Sequence, residues 1–238
     1  MRGHDEPGLS RCLAAEGIGT AFLLTTVVGS GIMAERLAGG NLALALLANA
    51  IATGAGLTAL ILALGTVSAH FNPAVTVVQA ASGAMPWGRV GPYVVVQVLG
   101  AFAGVAAAHV MFGEELFAAS THSRTGVAQV FSEAVATLGL LVVVKGAARR
   151  ASEPTAWAVG AYIAAAYWFT SSTSFANPAV TLARAFTDSF AGIKLADVPG
   201  FLLGQSVGTA VATPLLGWLW PLPHGKRASF SRDRRLPG

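Results

Sequence analysis

The sequence predicts an all-α membrane protein in which six transmembrane helices and two half-helices form an inverted repeat. Three observations carry that prediction. Only 11% of the 238 residues are charged, against 54% hydrophobic, whereas a soluble globular chain carries about 25% charged residues. The charges cluster between six long, mostly apolar runs, each near the ~20 residues that a spanning helix needs. The tripeptide Asn-Pro-Ala occurs twice, as Asn72-Pro73-Ala74 and Asn177-Pro178-Ala179, each time followed by Val-Thr.

The first run, residues 13–34, follows Arg11 and exceeds a signal-peptide core. With no small-residue cleavage site before polar sequence resumes, it is expected to stay as a membrane anchor. The second run is 42–64. The segment 73–81 is too short to span; Asn72 reads as its N-cap and Pro73 as its first residue, where the missing N–H would have lacked a partner anyway. Runs 90–111, 127–144 and 155–173 follow. A second short helix, 178–186, repeats the Asn cap and the Pro start, and 198–220 is the last run. Gly and Pro inside these runs are tolerated because neighbouring helices satisfy the freed backbone groups. A helix start within the bilayer is stable only where protein or water satisfies its backbone, so two of them predict a polar path.

Six spans put both termini on one side, and the Lys/Arg bias selects the cytoplasm. With the N-terminus inside, Arg2, Arg11, Arg89, Lys145, Arg149, Arg150, Lys226, Arg227, Arg232, Arg234 and Arg235 face inward, and only Arg36, Arg124, Arg184 and Lys194 face outward. The net charge of +4 therefore requires no nucleic-acid partner; the basic tail 226–235 answers to topology and anionic lipid headgroups. The single cysteine, Cys12, rules out an intrachain disulfide and a Cys-cluster metal site, and reads as a small residue at a helix end. His109, His122 and His224 are too scattered for a metal site, and no cofactor is expected. Enzymatic activity lacks support: no nucleophile sits near a base, and no phosphate loop is present.

The doubled tripeptide belongs to a longer repeat. Glu16-x-x-x-Thr20 matches Glu133-x-x-x-Thr137, and Gln97-x-x-Gly100 matches Gln205-x-x-Gly208. One domain over 1–238 is expected, with repeat halves at about 9–111 and 127–220 and polar tails at 1–8 and 221–238. Three spans per half is an odd number, so the halves insert with opposite orientation and the half-helix N-termini meet near the midplane. Each brings roughly half an elementary charge of positive dipole, which repels cations and protons. The Asn72 and Asn177 amides can donate N–H groups to a passing oxygen. That combination describes a conduit for neutral solutes.

A carboxylate in mid-membrane costs several kcal/mol unless paired or protonated. Glu16 and Glu133 therefore read either as protonatable sites of a coupled transporter or as buried acceptors for the loop N–H groups ahead of each half-helix. Their symmetric placement and the lack of an intramembrane Lys or Arg favour the acceptors. Gly100-x-x-x-Gly104 and Gly204-x-x-x-Gly208 offer small faces for close helix crossing, although their registers do not coincide under the Gln-x-x-Gly alignment. Trp87, Trp157, Trp168, Trp218 and Trp220 fall near span ends, as interfacial anchors do. His70, two residues before Asn72, reads equally as a loop brace or as a lining of the pore approach.

The segments Ala69-His70-Phe71-Asn72-Pro73-Ala74-Val75-Thr76 and Phe175-Ala176-Asn177-Pro178-Ala179, with both Glu-x-x-x-Thr motifs, resemble the aquaporin, or major intrinsic protein, family over about residues 9–220. The resemblance implies a homotetramer in lipid, one pore per subunit, passive bidirectional permeation of small neutral solutes, and Glu residues that brace the pore loops. The family usually has Arg directly after the second Asn-Pro-Ala, in the outer constriction. This chain has Val180, which supplies neither the charge nor the N–H donors of an arginine. By spacing, the other constriction positions fall at Thr53 (or Ala52), Ala165 (or Ala164 or Ala166) and Ser174 (or Phe175). This set is small and uncharged and predicts a wide opening. Arg184, four residues past Val180 on the same face, either brings its charge to the outer vestibule, or snorkels towards headgroups or braces a loop, with Asp188 as a candidate partner; the second reading is preferred. The segment Asn-Pro-Ala-Val-Thr-Leu-Ala-Arg-Ala-Phe-Thr-Asp resembles the bacterial arsenic-type aquaporins, which implies an inner-membrane pore for arsenic and antimony hydroxides, with methylated arsenicals as further candidates. A wide pore also admits glycerol and water. A water-selective channel is the alternative, and a proton-coupled transporter using Glu16 and Glu133 is less favoured.

Overall fold

In the computed structural model, residues 7–149 and 152–221 are described. The basic tail 226–235, with Arg2, Arg150 and His224, lies outside them. The described helices are α1 (Leu9–Leu37), α2 (Leu42–Leu64), α3 (Pro73–Ala81), α4 (Val90–Phe112), α5 (Val127–Ala148), α6 (Ser152–Phe169), α7 (Pro178–Arg184) and α8 (Val198–Leu219). A turn of 3-10 helix leads into α4 at Trp87–Arg89 and another into α8 at Leu195–Asp197, so even the approach to the last helix of each half recurs. No strand occurs among the described residues.

Helices α1, α2, α4, α5 and α8 are long and apolar enough to cross a membrane. The sixth long helix, α6, stops at Phe169 rather than at residue 173. Hydroxyls end it. Thr170 Oγ1 donates back to Ala166 O at 2.7 Å, while Ser132 Oγ and Ser172 Oγ accept the backbone N–H groups of Ser171 and Ser174. Side chains that bond local backbone in this way compete with helix continuation. Thr173 and Ser174 then take left-handed φ values of 60° and 50°.

Packing follows the repeat. Helix α1 lies against α4 and α2, α5 lies against α8 and α6, and α2 and α6 join the two halves. Glycines set the closest crossings. A Cβ on Gly100 would strike Gly17 O, and one on Gly208 would strike Ala134 O; with Glu16 matched to Glu133, residues 17 and 134 are equivalent. Gly104 extends the first crossing to Ala21 O, and Gly204 extends the second to Val130 O. The two halves thus share one crossing point and lengthen it by a turn in opposite directions. That difference is why the Gly-x-x-x-Gly registers fail to coincide in sequence.

Polarity is arranged for lipid. Leu24, Val28, Ala101, Val105 and Phe201 are buried, yet so are Glu16, Gln97, Glu133 and Gln205, while Phe22, Ile51, Leu99, Val110 and Phe131 are exposed. Trp87, Trp157, Trp168 and Trp218 are exposed towards the ends of their helices. A soluble protein of this size would not leave so many large apolar side chains outside.

The crossing geometry makes a direct prediction. Gly100→Leu and Gly208→Leu should each destabilise the detergent-solubilised protein by about 1–3 kcal/mol through overpacking. Gly217→Ala, with nothing within 4 Å of its added Cβ, should not. Equal thermal midpoints for all three would contradict this packing.

Candidate functional site

The two half-helices meet by their first residues. Asn72 and Asn177 are both extended in backbone, both precede a Pro that opens the helix, and both accept from their own helix: Asn72 Oδ1 from Ala74 N at 2.8 Å, Asn177 Oδ1 from Ala179 N at 3.1 Å and Val180 N at 3.3 Å. Each amide nitrogen then reaches into the other half. Asn72 Nδ2 donates to Ala176 O at 2.8 Å, and Asn177 Nδ2 donates to Phe71 O at 2.7 Å. The two accepting residues carry left-handed φ values, 50° at Phe71 and 47° at Ala176. Non-glycine residues adopt that region at a cost of about 1–3 kcal/mol and hold it only where surrounding contacts enforce it. An amide has two N–H groups, so each Asn retains one beyond its crosswise bond.

Buried carboxylates enforce that loop geometry. Glu16 Oε1 accepts from Ser68 Oγ at 2.6 Å and His70 N at 2.7 Å, and its Oε2 accepts from Phe71 N at 2.7 Å and Gln97 Nε2 at 2.8 Å. Glu133 does the same for the second half, with Phe175 N at 2.8 Å, Ala176 N at 2.8 Å and Gln205 Nε2 at 2.7 Å. The amide of each Gln continues to a threonine of the half-helix, Thr76 at 3.0 Å and Thr181 at 2.7 Å. Those hydroxyls close on Asn72 O at 3.1 Å and Asn177 O at 2.9 Å. Hydrogen bonds to a charged acceptor are worth about 1.5–3 kcal/mol each, enough together to offset the burial of a carboxylate. Neither Glu lines the cavity. The sequence showed Gln97, Gln205, Thr76 and Thr181 as repeat landmarks, but nothing local pairs residues 21 or 24 positions apart.

A cavity of about 730 Å³, including its open ends, runs past this meeting point. Asn72, Asn177, His70, Thr53, Ser174, Tyr167 and Arg184 give it a polar side, facing an apolar side that includes Leu23, Leu57, Leu140 and Val159. A vestibule beside Pro7 and Cys12 shares Ile61, Ala69, His70 and Val75 with it, so the two adjoin at the N-terminal mouth. His70 is both lining and brace, with Nδ1 3.1 Å from Thr76 Oγ1. Among the described residues, no three His, Cys, Asp or Glu side chains gather as a metal-ligand set.

At the other end of the cavity the expected constriction set needs correction. Thr53, Ser174 and Val180 line the cavity, as does Phe175. Ala165 does not; it is exposed on the outer side of α6, which instead presents Val159, Ile163 and Tyr167 to the cavity. These three recur every four residues along one helix face. Spacing alone does not reach this face, because α6 ends at Phe169 and the left-handed residues Thr173, Ser174 and Ala176 set the loop's path. Tyr167, which the sequence gave no reason to select, hydrogen bonds through its hydroxyl to Thr53 Oγ1 at 3.2 Å. The lining here is therefore larger and more polar than Thr, Ala, Ser and Val alone.

Arg184 meets its preferred expectation only in part: it braces a loop, through Ala191 rather than Asp188, and it also faces the cavity. It is 2% exposed, lines the cavity one turn beyond Val180, places its guanidinium carbon 3.4 Å from the Phe175 ring centroid and donates from Nε to Ala191 O. It does not snorkel, and Asp188 is engaged elsewhere. The Thr121 N–H at 2.8 Å and hydroxyl at 2.9 Å hold that carboxyl below its ordinary range. Arg124, from the loop between α4 and α5, approaches the same ring at 5.1 Å. No sequence motif marks it.

With that geometry in place, the comparisons are specific. The pattern described as Major intrinsic protein matches residues 5–155, a stretch that includes both buried Glu residues and the first Asn-Pro-Ala. Aquaglyceroporin AqpS of Rhizobium meliloti (strain 1021) is 50% identical over 212 residues, which cover 89% of this chain and 91% of that protein. Aquaporin NIP1-3 of Oryza sativa subsp. japonica is 32% identical over 213 residues, covering 85% of this chain and 68% of that protein. The X-ray structure of the aquaglyceroporin from Plasmodium falciparum superposes with a TM-score of 0.68 at 20% identity, covering 89% of this chain and all of that one. That last likeness is one of fold.

The brace predicts what removing one carboxylate oxygen does. Glu133→Gln turns an NH₂ towards loop N–H groups, so it should cost about 1–3 kcal/mol of stability and lower any solute flux to the same extent with or without a pH gradient. Thermal unfolding and liposome flux measure this. A loss confined to gradient-driven flux would instead support coupled transport.

Proposed function

The chain belongs to the major intrinsic protein family, and from that membership we propose a passive channel for water, glycerol-sized polyols and trivalent metalloid hydroxides. It is an integral membrane protein. The observation that carries the channel reading is the meeting of Asn72 and Asn177 beside a continuous cavity. Each Asn keeps an N–H for a solute oxygen, and the opposite wall is apolar. A polyol has hydroxyls on one edge and C–H groups on the other, so it matches such a wall. Arsenous acid is a small neutral trihydroxide of comparable shape. Ser174 lines the cavity, and its buried Oγ has no hydrogen-bond partner, so a small rotation of that side chain would offer it to a solute. Val180 contributes neither charge nor bulk at the position where the family usually has Arg.

The exposed apolar helix faces suit lipid and three further copies in a homotetramer, with each copy a single domain carrying its own pore. The Lys/Arg bias puts both termini in the cytoplasm, the N-terminal vestibule on the inner side and Arg184 on the outer side of a bacterial inner membrane. One observation favours a second reading, a water-selective pore: Tyr167 and Thr53 are joined by a hydrogen bond at 3.2 Å on the lining, which adds bulk where the sequence suggested only small residues.

Stopped-flow light scattering on proteoliposomes separates these readings. Arsenite and glycerol should equilibrate faster than in empty liposomes; flux of water alone would select the second reading, and no flux at all would sink both. Val180→Arg should slow arsenite and glycerol on the order of tenfold, equivalent to ~1.4 kcal/mol of added barrier, and water less. Equal loss of all three, with normal insertion, would mean that Val180 is outside the constriction.

A further inference from the structure

We infer that Arg184, seconded by Arg124, is the cation-rejecting charge of this channel, supplied one helical turn beyond the position that Val180 leaves uncharged. The inference rests on the passive-channel reading. Val180 and Arg184 lie four residues apart on α7 and both line the cavity. A cation on the neutral-solute path must therefore pass Arg184 on the way to or from the Asn pair.

The charge of Arg184 is held in place and is not neutralised. Its guanidinium rests on the Phe175 face at 3.4 Å, and Nε donates to Ala191 O. Arg124 approaches the same ring at 5.1 Å; its Nε donates to Gly192 O at 2.8 Å, Nη1 to Ser172 O at 3.4 Å and Thr173 Oγ1 at 3.3 Å, and Nη2 to Phe190 O at 3.4 Å. Every one of these acceptors is neutral. Among the described residues, the ion pair within 4 Å is Arg36 with Glu114, both exposed. The carboxylates of this region are engaged by the loops: Asp188 by Thr121, Asp197 by Arg124 N at 2.7 Å and Thr125 Oγ1 at 2.6 Å, Glu35 by Phe190 N at 3.0 Å, and Glu133, whose field reaches both guanidinium groups, by Phe175 N, Ala176 N and Gln205 Nε2.

Buried charges ordinarily have a counter-charge. Two guanidinium groups whose bonded partners are carbonyls, the hydroxyls of Thr173 and Tyr167 and one aromatic face, with no carboxylate within 4 Å, leave positive charge beside the cavity. A cavity with low-dielectric walls carries that field onto its axis. A mobile arginine would swing aside for a cation; one fixed between a ring and a carbonyl cannot. Arg124 bonds four loop groups and is also a brace. Arg184 has fewer partners and faces the cavity, so it is the specificity-determining residue.

The test uses full-length protein in proteoliposomes and planar bilayers, with water flux above that of empty liposomes reporting that each variant forms a pore. Wild-type protein should carry little Na⁺ or K⁺ current. Arg184→Gln should raise cation current per unit water flux at least about tenfold, Arg184→Lys should stay near wild type, and Val180→Arg added to Arg184→Gln should restore rejection. A purely bracing role would alter pore formation but not this ratio. An Arg184→Gln variant that forms a water pore without cation current overturns the inference, as does large cation current in wild type. If Arg184→Gln does not insert, Val180→Glu decides by setting a carboxylate one turn before Arg184: cation current supports the inference and its absence overturns it. Failure of wild-type protein to pass any neutral solute would defeat the channel reading itself, a result separate from all of these.

Discussion

Two helix starts placed end to end inside a protein are unfavourable neighbours, since both are positive and both expose N–H groups that lack helix partners. The crosswise amide bonds of Asn72 and Asn177 are what make the arrangement stable. One side chain caps its own helix, ties the loop of the other half and retains an N–H. Everything around it serves this geometry. The left-handed Phe71 and Ala176 aim their carbonyls, Glu16 and Glu133 hold the strained loops through their N–H groups, and Gln97 and Gln205 link carboxylate to half-helix.

This constraint also accounts for the rest of the fold. The braces start on α1 and α5, reach loops that follow α2 and α6, and are shared with α4 and α8. Those helices must lie close, which the glycines at 100, 104, 204 and 208 allow. Specificity is then separated from stability. The Asn pair and its braces are duplicated by the repeat, and so is the Val that follows each Asn-Pro-Ala, whereas Ser174 and Arg184 stand opposite Ala69 and Gln79 of the first half.

The duplicated features were the legible ones. Asn72 and Asn177 announce caps, Pro73 and Pro178 announce helix starts, and the buried Glu residues stand out because a carboxylate in an apolar run needs a reason. Local sequence carries all of that. What it does not carry is the path of a loop between helices. Spacing points to Ala165 because it carries no information on the rotation of α6 or on the left-handed residues Thr173, Ser174 and Ala176 that follow it, and it passes over Tyr167 for the same reason. Arg184 could be put on the face of Val180 by helical periodicity, but its seat on Phe175 depends on the fold of the loop that brings Ala191 to it. Arg124 is further still from any local signal, since its partners lie 48 to 68 positions away. Contacts within a helix turn could be read; contacts made by long loops could not.

The central claim is that the Asn pair is the point at which a neutral solute is held. A high-resolution structure of the protein soaked in glycerol tests it most directly. A glycerol hydroxyl oxygen roughly 2.7–3.2 Å from Nδ2 of both Asn72 and Asn177, with the crosswise bonds to Ala176 O and Phe71 O intact, is the predicted result. Glycerol ordered along the cavity but never within reach of either amide, or an amide pair closed on itself so that no solute passes between the mouths, would contradict it.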